Sequence, residues 1–330
     1  MVRMKTLARL CAVLFAGALL VAPGAYAQTL EVFPSRPIRF VVPFAPGGIA
    51  DTMARVLGKA VSDSTGQPVV VENKPGGGTT IGTELVARAK PDGYTLLLTS
   101  APIATNPGLV TKLPYEALRD LAPIITLSGD GFVIAVNEKQ PYKTFTELVA
   151  AARKPGVEIA YASPGSGTLM HLAGQLLNAE YQTRFLHVPY KGSGPALQDA
   201  AGGQVPMIID PQSSITPLIR SGRLRPLAVT SPTRLSLLPD VPTLRELGFP
   251  KGEAIAFSGV MVPAGTPPAI VARLNAEFNR ALGQPEVRQK LVEQLGGTYR
   301  GGTSEEFGAL VKAETERWVP LIKRLGLTAD

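Results

Sequence analysis

Three segments of this chain place glycines where a strand hands over to a helix. They are Pro43-Phe44-Ala45-Pro46-Gly47-Gly48-Ile49-Ala50-Asp51, Ser163-Pro164-Gly165-Ser166-Gly167-Thr168 and Tyr190-Lys191-Gly192-Ser193-Gly194-Pro195. Glycine lets a backbone come close to a ligand, and the first-turn N–H groups of a helix have no partner inside it. Such a junction presents aligned donors to an anion, and a carboxylate suits it. One such loop alone reads as an ordinary turn; three at the carboxyl ends of strands, where open α/β sheets bind their ligands, point to a site. The backbones of Gly47, Gly48, Gly165 and Gly167 are the candidate donors to one carboxylate. Side chains of Ser100, Asn106, Ser166, Thr168 and Asp210 are candidates for the other end of the ligand. Asp51, three residues after Gly48, is expected to cap the helix start rather than to act as an acid catalyst.

Other chemistries fit poorly. No loop matches G-x-x-x-x-G-K-[ST] or completes G-x-G-x-x-G with a later ribose-binding acid, so nucleotide binding is disfavoured. Ser166 and Ser193 both lie between glycines, yet a nucleophile elbow needs glycine two positions before and after the serine. Pro164 and Thr168 break that pattern for Ser166, and Lys191 and Pro195 break it for Ser193. The two histidines, His171 and His187, have no metal-ligand spacing around them. His171 falls in the first turns of a predicted helix, where a satisfied structural role is weighed against ligand contact. No cofactor and no catalytic residue is expected.

Positioning these loops requires an alternation of short β-branched runs and helical stretches, which begins at Pro37. Strands are predicted at 38–44, 68–72 and 94–99, with helices at 51–64 and 81–89 between them. A second series has strands at 132–137, 158–162, 186–188 and 205–210, with helices near 145–153, 169–180 and 196–202. Strands at 224–230 and 256–262 follow, and helices near 268–282, 285–294 and 304–326 close the chain. The pattern reads as βαβ units in two α/β lobes, each a mostly parallel sheet flanked by helices. The lobes are expected at 28–126 plus 257–330 and at 127–256, with the ligand cleft between them and chain crossings near Leu127 and Ala254. Trp318 is read as packing in the last helix.

The first 27 residues stand apart. Arg3, Lys5 and Arg9 precede an apolar run from Leu10 to Val21 that ends in Ala25-Tyr26-Ala27, the pattern of a cleaved secretory signal peptide. Cleavage removes three positive charges and no negative ones, so the net charge falls from +7 to +4, and it removes the single cysteine, Cys11. The basic residues are scattered, and Arg220, Arg223 and Arg225 have no aromatic interleaving, which argues against nucleic acid.

Taken in order, the motifs closely resemble the tripartite tricarboxylate transport (Bug) family of extracytoplasmic solute-binding proteins. The matching residues include Val42-Pro43-Phe44 with Pro46-Gly47-Gly48-x-x-Asp51, and Val71-Glu72-Asn73-Lys74-Pro75-Gly76-Gly77-Gly78. Further on are Lys90-Pro91-Asp92-Gly93-Tyr94-Thr95-Leu96, Ser163 to Leu172, Val188-Pro189-Tyr190-Lys191-Gly192 and Pro263-Ala264-Gly265-Thr266-Pro267. The resemblance spans essentially the whole mature chain. It implies a monomeric, type II-like Venus-flytrap receptor in a Gram-negative periplasm. Its ligand would be a di- or tricarboxylate, an acidic amino acid or an aromatic acid. It would hand the ligand to membrane permease subunits or, alternatively, to a sensor kinase. By motif, the loops from Phe44 and Ala45 to Asp51 and from Ser163 to Thr168 would pin one carboxylate through N–H groups and ordered waters. Ala101-Pro102 and Phe257-Ser258, which depart from commoner members, would meet the variable end.

Overall fold

The computed structural model describes residues 33–295 and 298–328, so the predicted signal peptide lies outside the described residues. The contacts that build the fold belong to a unit beginning at Arg36. In chain order the first elements are β1 (Ile38–Val42), α1 (Ile49–Thr65), β2 (Val69–Asn73), α2 (Thr80–Ala87), β3 (Thr95–Ser100), α3 (Pro102–Leu109) and α4 (Ala117–Asp120). The middle of the chain forms β4 (Leu121–Asn137), α5 (Phe145–Ala152), β5 (Ile159–Ser163), α6 (Leu169–Tyr181), β6 (Phe185–Pro189), α7 (Ser193–Gly202), β7 (Met207–Pro211), α8 (Gln212–Arg220) and β8 (Leu224–Val229). It closes with β9 (Ile255–Pro263), α9 (Pro268–Gly283), α10 (Pro285–Leu295) and α11 (Ser304–Leu325).

The strands follow the order β2-β1-β3-β9-β4-β7-β5-β6, with β8 also on β4. Helices flank this curled sheet, giving the α/β class expected. β1 pairs in parallel with β2 and β3, and β5 pairs in parallel with β6 and β7. Between these parallel groups run the long antiparallel strands β4 and β9. Residues 121–131 of β4 pair with β9, whereas residues 132–137 pair with β7 and β8. One strand therefore serves both groups.

The first stretch of β4 was not foreseen as strand, and its residues explain why. Pro123, Gly129 and Gly131 are poor strand formers, and the register with β9 shifts between Pro123 and Ile125 and again between Thr126 and Ser128. Such bulges are where a sheet tolerates proline. Gly131 is required on steric grounds, because a Cβ there would lie 2.2 Å from the Ser231 nitrogen. Helix α3 also escaped prediction, since Pro107 and Gly108 interrupt it and its buried residues, Ile103 to Asn106 and Leu109, follow no helical period.

Several hydrophobic clusters hold the sheet, one of them around Val133, Ile208 and Ile215. A second gathers Phe145, Tyr161, Leu172, Ile134 and Trp318, and a third Val41, Leu97, Phe257 and Phe307. Each such side chain, when fully buried, contributes roughly 1.5–3 kcal/mol. Trp318 is packed as expected, its indole N–H donating to Glu314 Oε2 at 2.7 Å.

Candidate ligand-binding site

The junction between β1 and α1 is exposed and internally braced. Gly47 sits in the left-handed region at φ +82°, and extended Gly48 is the N-cap of α1. Asp51, buried in the first turn, accepts the Gly47 N–H at 2.9 Å through Oδ2 and an Asn73 Nδ2 hydrogen at 3.0 Å through Oδ1. The same Asn73 nitrogen donates to the Phe44 carbonyl at 3.1 Å. Arg55 pairs with both Asp51 oxygens, and that hydrogen-bonded guanidinium, more than any other cause, lowers the carboxyl pKa to about 2. Asp51 thus braces the loop ahead of α1 and is not the helix cap expected from the sequence, because its bond goes to the residue before the N-cap, Gly48, and α1 has no side-chain cap. It engages the Gly47 N–H, whereas Gly48, Ile49 and Ala50 begin the helix with N–H groups that have no intrahelical acceptor.

Those donors border a cavity of about 630 Å³ lined by residues 44–50, Leu98, Thr99, Ser100 and Ser258. A second chamber of about 290 Å³ shares Ile49, Ser100 and Ser258 with it and adds Met53, Ala101, Ser128, Asp130, Phe132, Gln212, Phe257 and Tyr299. Strand register explains its floor. Ser100 of β3 pairs with Ser258 of β9, which pairs with Ser128 of β4, so three hydroxyl side chains stand in one row. Among the described residues no Lys, Arg or His lines either chamber.

The loop after β5 is built differently. Ser163 Oγ lies 2.7 Å from His187 Nε2 and accepts the Gly165 N–H at 3.2 Å. Gly167 donates its N–H to His171 Nδ1 at 3.1 Å, and the Thr168 hydroxyl donates to the Gly165 carbonyl at 2.7 Å while capping α6 by accepting from the His171 N–H. The two imidazoles stack with centroids 3.8 Å apart. Burial lowers both histidine pKa values, and the neighbouring ring adds to the effect at His187, bringing it to about 4. Ser166 is exposed at the tip. Asp210, fully buried at the end of β7, accepts from Ser214, and burial raises its pKa to about 6.

The structure therefore gathers Phe44, Ala45, Gly47, Gly48 and Ser100 around one cavity, with Asp51 behind them. Ser163, Gly165, Gly167, Thr168 and His171 form a second cluster that does not line that cavity. Asn106 stands apart in α3, buried and donating to the Gly78 carbonyl at 2.8 Å. Sequence reasoning missed Ile49, Ser128, Asp130, Gln212 and Tyr299. An acid between two glycines, Gly129-Asp130-Gly131, was the available signal.

The family model described as "Tripartite tricarboxylate transporter family receptor" matches residues 53–327. The chain belongs to this family. It is a family of substrate-binding receptors, not of enzymes. This receptor is 43% identical over 305 residues to a Pseudomonas protein named for the tcbD-tcbE intergenic region, covering 92% of this chain and 90% of that one. It is 38% identical over 298 residues to BugT of Bordetella pertussis, covering 90% and 91%. Among solved structures, a ligand-free Polaromonas TctC solute-binding protein superposes with a TM-score of 0.82 at 30% identity, covering 88% of this chain and 99% of that one. A Rhodopseudomonas palustris protein with adipate gives 0.68 at 32% identity, covering 90% and 99%. MatC from the same species, with bound malate, gives 0.64 at 32% identity, covering 88% and 100%. Among the described residues no helix of this receptor is long and apolar enough to cross a membrane, and no group of His, Cys, Asp or Glu could hold a metal.

Proposed function

We propose that this receptor captures a small carboxylate in the periplasm and delivers it to the membrane subunits of a tripartite tricarboxylate transporter. The observation that carries the reading is the cavity against the first turn of α1. It is lined by Gly48, Ile49 and Ala50, at the helix start where N–H groups have no intrahelical acceptor, and by a row of hydroxyls, with no basic side chain in its wall among the described residues. A partly buried helix N-terminus stabilises an anion by up to ~2 kcal/mol, and hydrogen bonds to charge add ~1.5–3 kcal/mol each. A micromolar complex needs only ~8 kcal/mol net, so two or three such donors suffice once closure has excluded water. Family structures that carry adipate and malate support a carboxylate as the ligand.

The lobes would be residues 28–126 with 257–330, and 127–256, and the change of β4 partners near Gly131 supports a crossing there. At nearly equal identity, the fit to the ligand-free relative, 0.82, exceeds the fits to the relatives with adipate and malate, 0.68 and 0.64. This chain is therefore read as open. Closure would carry the loop at 163–168 towards residues 44–50 and cover Ile49, a 63% exposed isoleucine at the cavity mouth. Secretion would follow cleavage after Ala27. Mass spectrometry of the secreted protein tests that step, and calorimetric titration with carboxylates tests binding. A mass including residues 1–27 would defeat the first claim, and a flat titration the second.

A further inference from the structure

Two residues in the wall of the inner chamber each carry a buried polar atom without a partner, and anchoring at α1 uses neither. Asp130 Oδ2 accepts the Thr298 N–H at 2.8 Å, while its Oδ1 is sealed from water and has no partner. Gln212 is 3% exposed, and its Oε1 accepts the Leu237 N–H at 3.2 Å. That bond fixes the orientation of the amide and makes the unpartnered atom Nε2, a donor. Both residues line the chamber.

A buried carboxylate oxygen accepts and never donates while ionised, and burying it unpaired carries a free-energy penalty until a donor arrives. No Lys, Arg or His in the chamber wall supplies that donor. The negative charge of Asp130 reaches its surroundings. The Tyr299 hydroxyl, also in the wall, is pushed up to about 12, by burial first and by Asp130 second. A second ligand carboxylate in this chamber would face an acceptor and a repulsive field. An ammonium group would find a hydrogen-bond acceptor and a counter-charge together.

Resting on the carboxylate-receptor reading, we propose that the ligand is an amino-substituted carboxylate whose ammonium group is held by Asp130, the specificity-determining residue, while Gln212 Nε2 donates to an oxygen of the same ligand. Asp130→Asn keeps an acceptor for the Thr298 N–H but removes the charge. Gln212→Glu keeps an acceptor for the Leu237 N–H and adds charge.

The test is calorimetry on the secreted protein, unfolded and refolded to strip bound ligand. The probes are matched pairs, adipate against 6-aminohexanoate and glutarate against L-glutamate. The amino member of at least one pair should bind tenfold or more tightly than its dicarboxylate. Asp130→Asn should erase that preference by weakening the amino member tenfold or more, and Gln212→Glu, which replaces the donor to the ligand oxygen with a like charge, should weaken both members of the pair. Equal or tighter binding of the dicarboxylates by the unmodified protein would overturn the inference and leave the carboxylate reading intact. An unchanged preference in an Asp130→Asn protein with a normal melting transition would likewise overturn it. Silence with all four probes would count against the carboxylate reading itself, and this inference would fall with it.

Discussion

Asp51 Oδ2 accepts the N–H of Gly47 at 2.9 Å, so the side chain in the first turn of α1 holds the loop that leads into that turn. Gly47 can adopt φ +82° at little cost because it lacks a Cβ. Asp51, Asn73 and Arg55 then lock the loop, whose neighbours Gly48 to Ala50 line the cavity. Asp51→Ala should destabilise the protein by about 1–3 kcal/mol and weaken carboxylate binding at least tenfold. Thermal melting and titration read the two effects. Because the folded pKa, about 2, lies below the ordinary 3.8, this bracing is fully present above pH 3.8 and fades as pH falls towards 2.

Gly48→Pro isolates the donor from the fold. The native φ of −83° is near what proline imposes, and a Cβ at this position meets nothing closer than the Ala45 carbonyl at 3.7 Å. The variant loses one N–H at the helix start. Its melting temperature should stay near that of the unmodified protein while carboxylate affinity falls by tenfold or more. Retained affinity would count against the α1 loop as the anchor.

His187 should make the fold sensitive to mild acid. Its folded pKa of about 4 lies below the ordinary 6.5, so between these values the unfolded chain binds more protons and stability drops as pH falls. The loss by pH 4 should be on the order of 2 kcal/mol, allowing for the partial exposure of the ring. His187→Gln can still hydrogen-bond Ser163 but does not titrate, and it should flatten that part of the pH–melting curve.

Asp210 should act in the opposite sense. Its folded pKa of about 6 lies above the ordinary 3.8, so its contribution is most favourable below pH 3.8 and is lost as pH rises through 6. Asp210→Asn should therefore raise the melting temperature at pH 7.5, by an amount equivalent to roughly 1–3 kcal/mol, and bring no gain at pH 4. Melting curves at the two pH values suffice.

The alternation of strands and helices was legible because β-branched runs such as Ile38–Val42 and amphipathic runs such as α1 carry their period in the residues themselves. Residues 121–131 were not, because β9 supplies the pairing that makes a bulged, proline-containing segment a strand. The glycine loops were legible for the same local reason, whereas Asp51, expected as the cap, proved to hold the preceding loop through the Gly47 N–H. The serine row was not, since Ser100, Ser128 and Ser258 meet only through the register of three strands distant in sequence. Asn106 shows the converse: a polar residue read as a candidate for the ligand's other end is turned inward to hold the Gly78 carbonyl.

The most direct test is a thermal scan of the ligand-stripped secreted protein against C3 to C6 mono-, di- and tricarboxylates, amino acids and aromatic acids. Ligand at a hundredfold its dissociation constant stabilises by ~2.7 kcal/mol, which moves the midpoint of a chain this size by several degrees. A selective upward shift with one carboxylate class, absent in Gly48→Pro, is the predicted result. A flat response across the whole panel, or an equal shift in Gly48→Pro, would contradict carboxylate capture at the α1 loop.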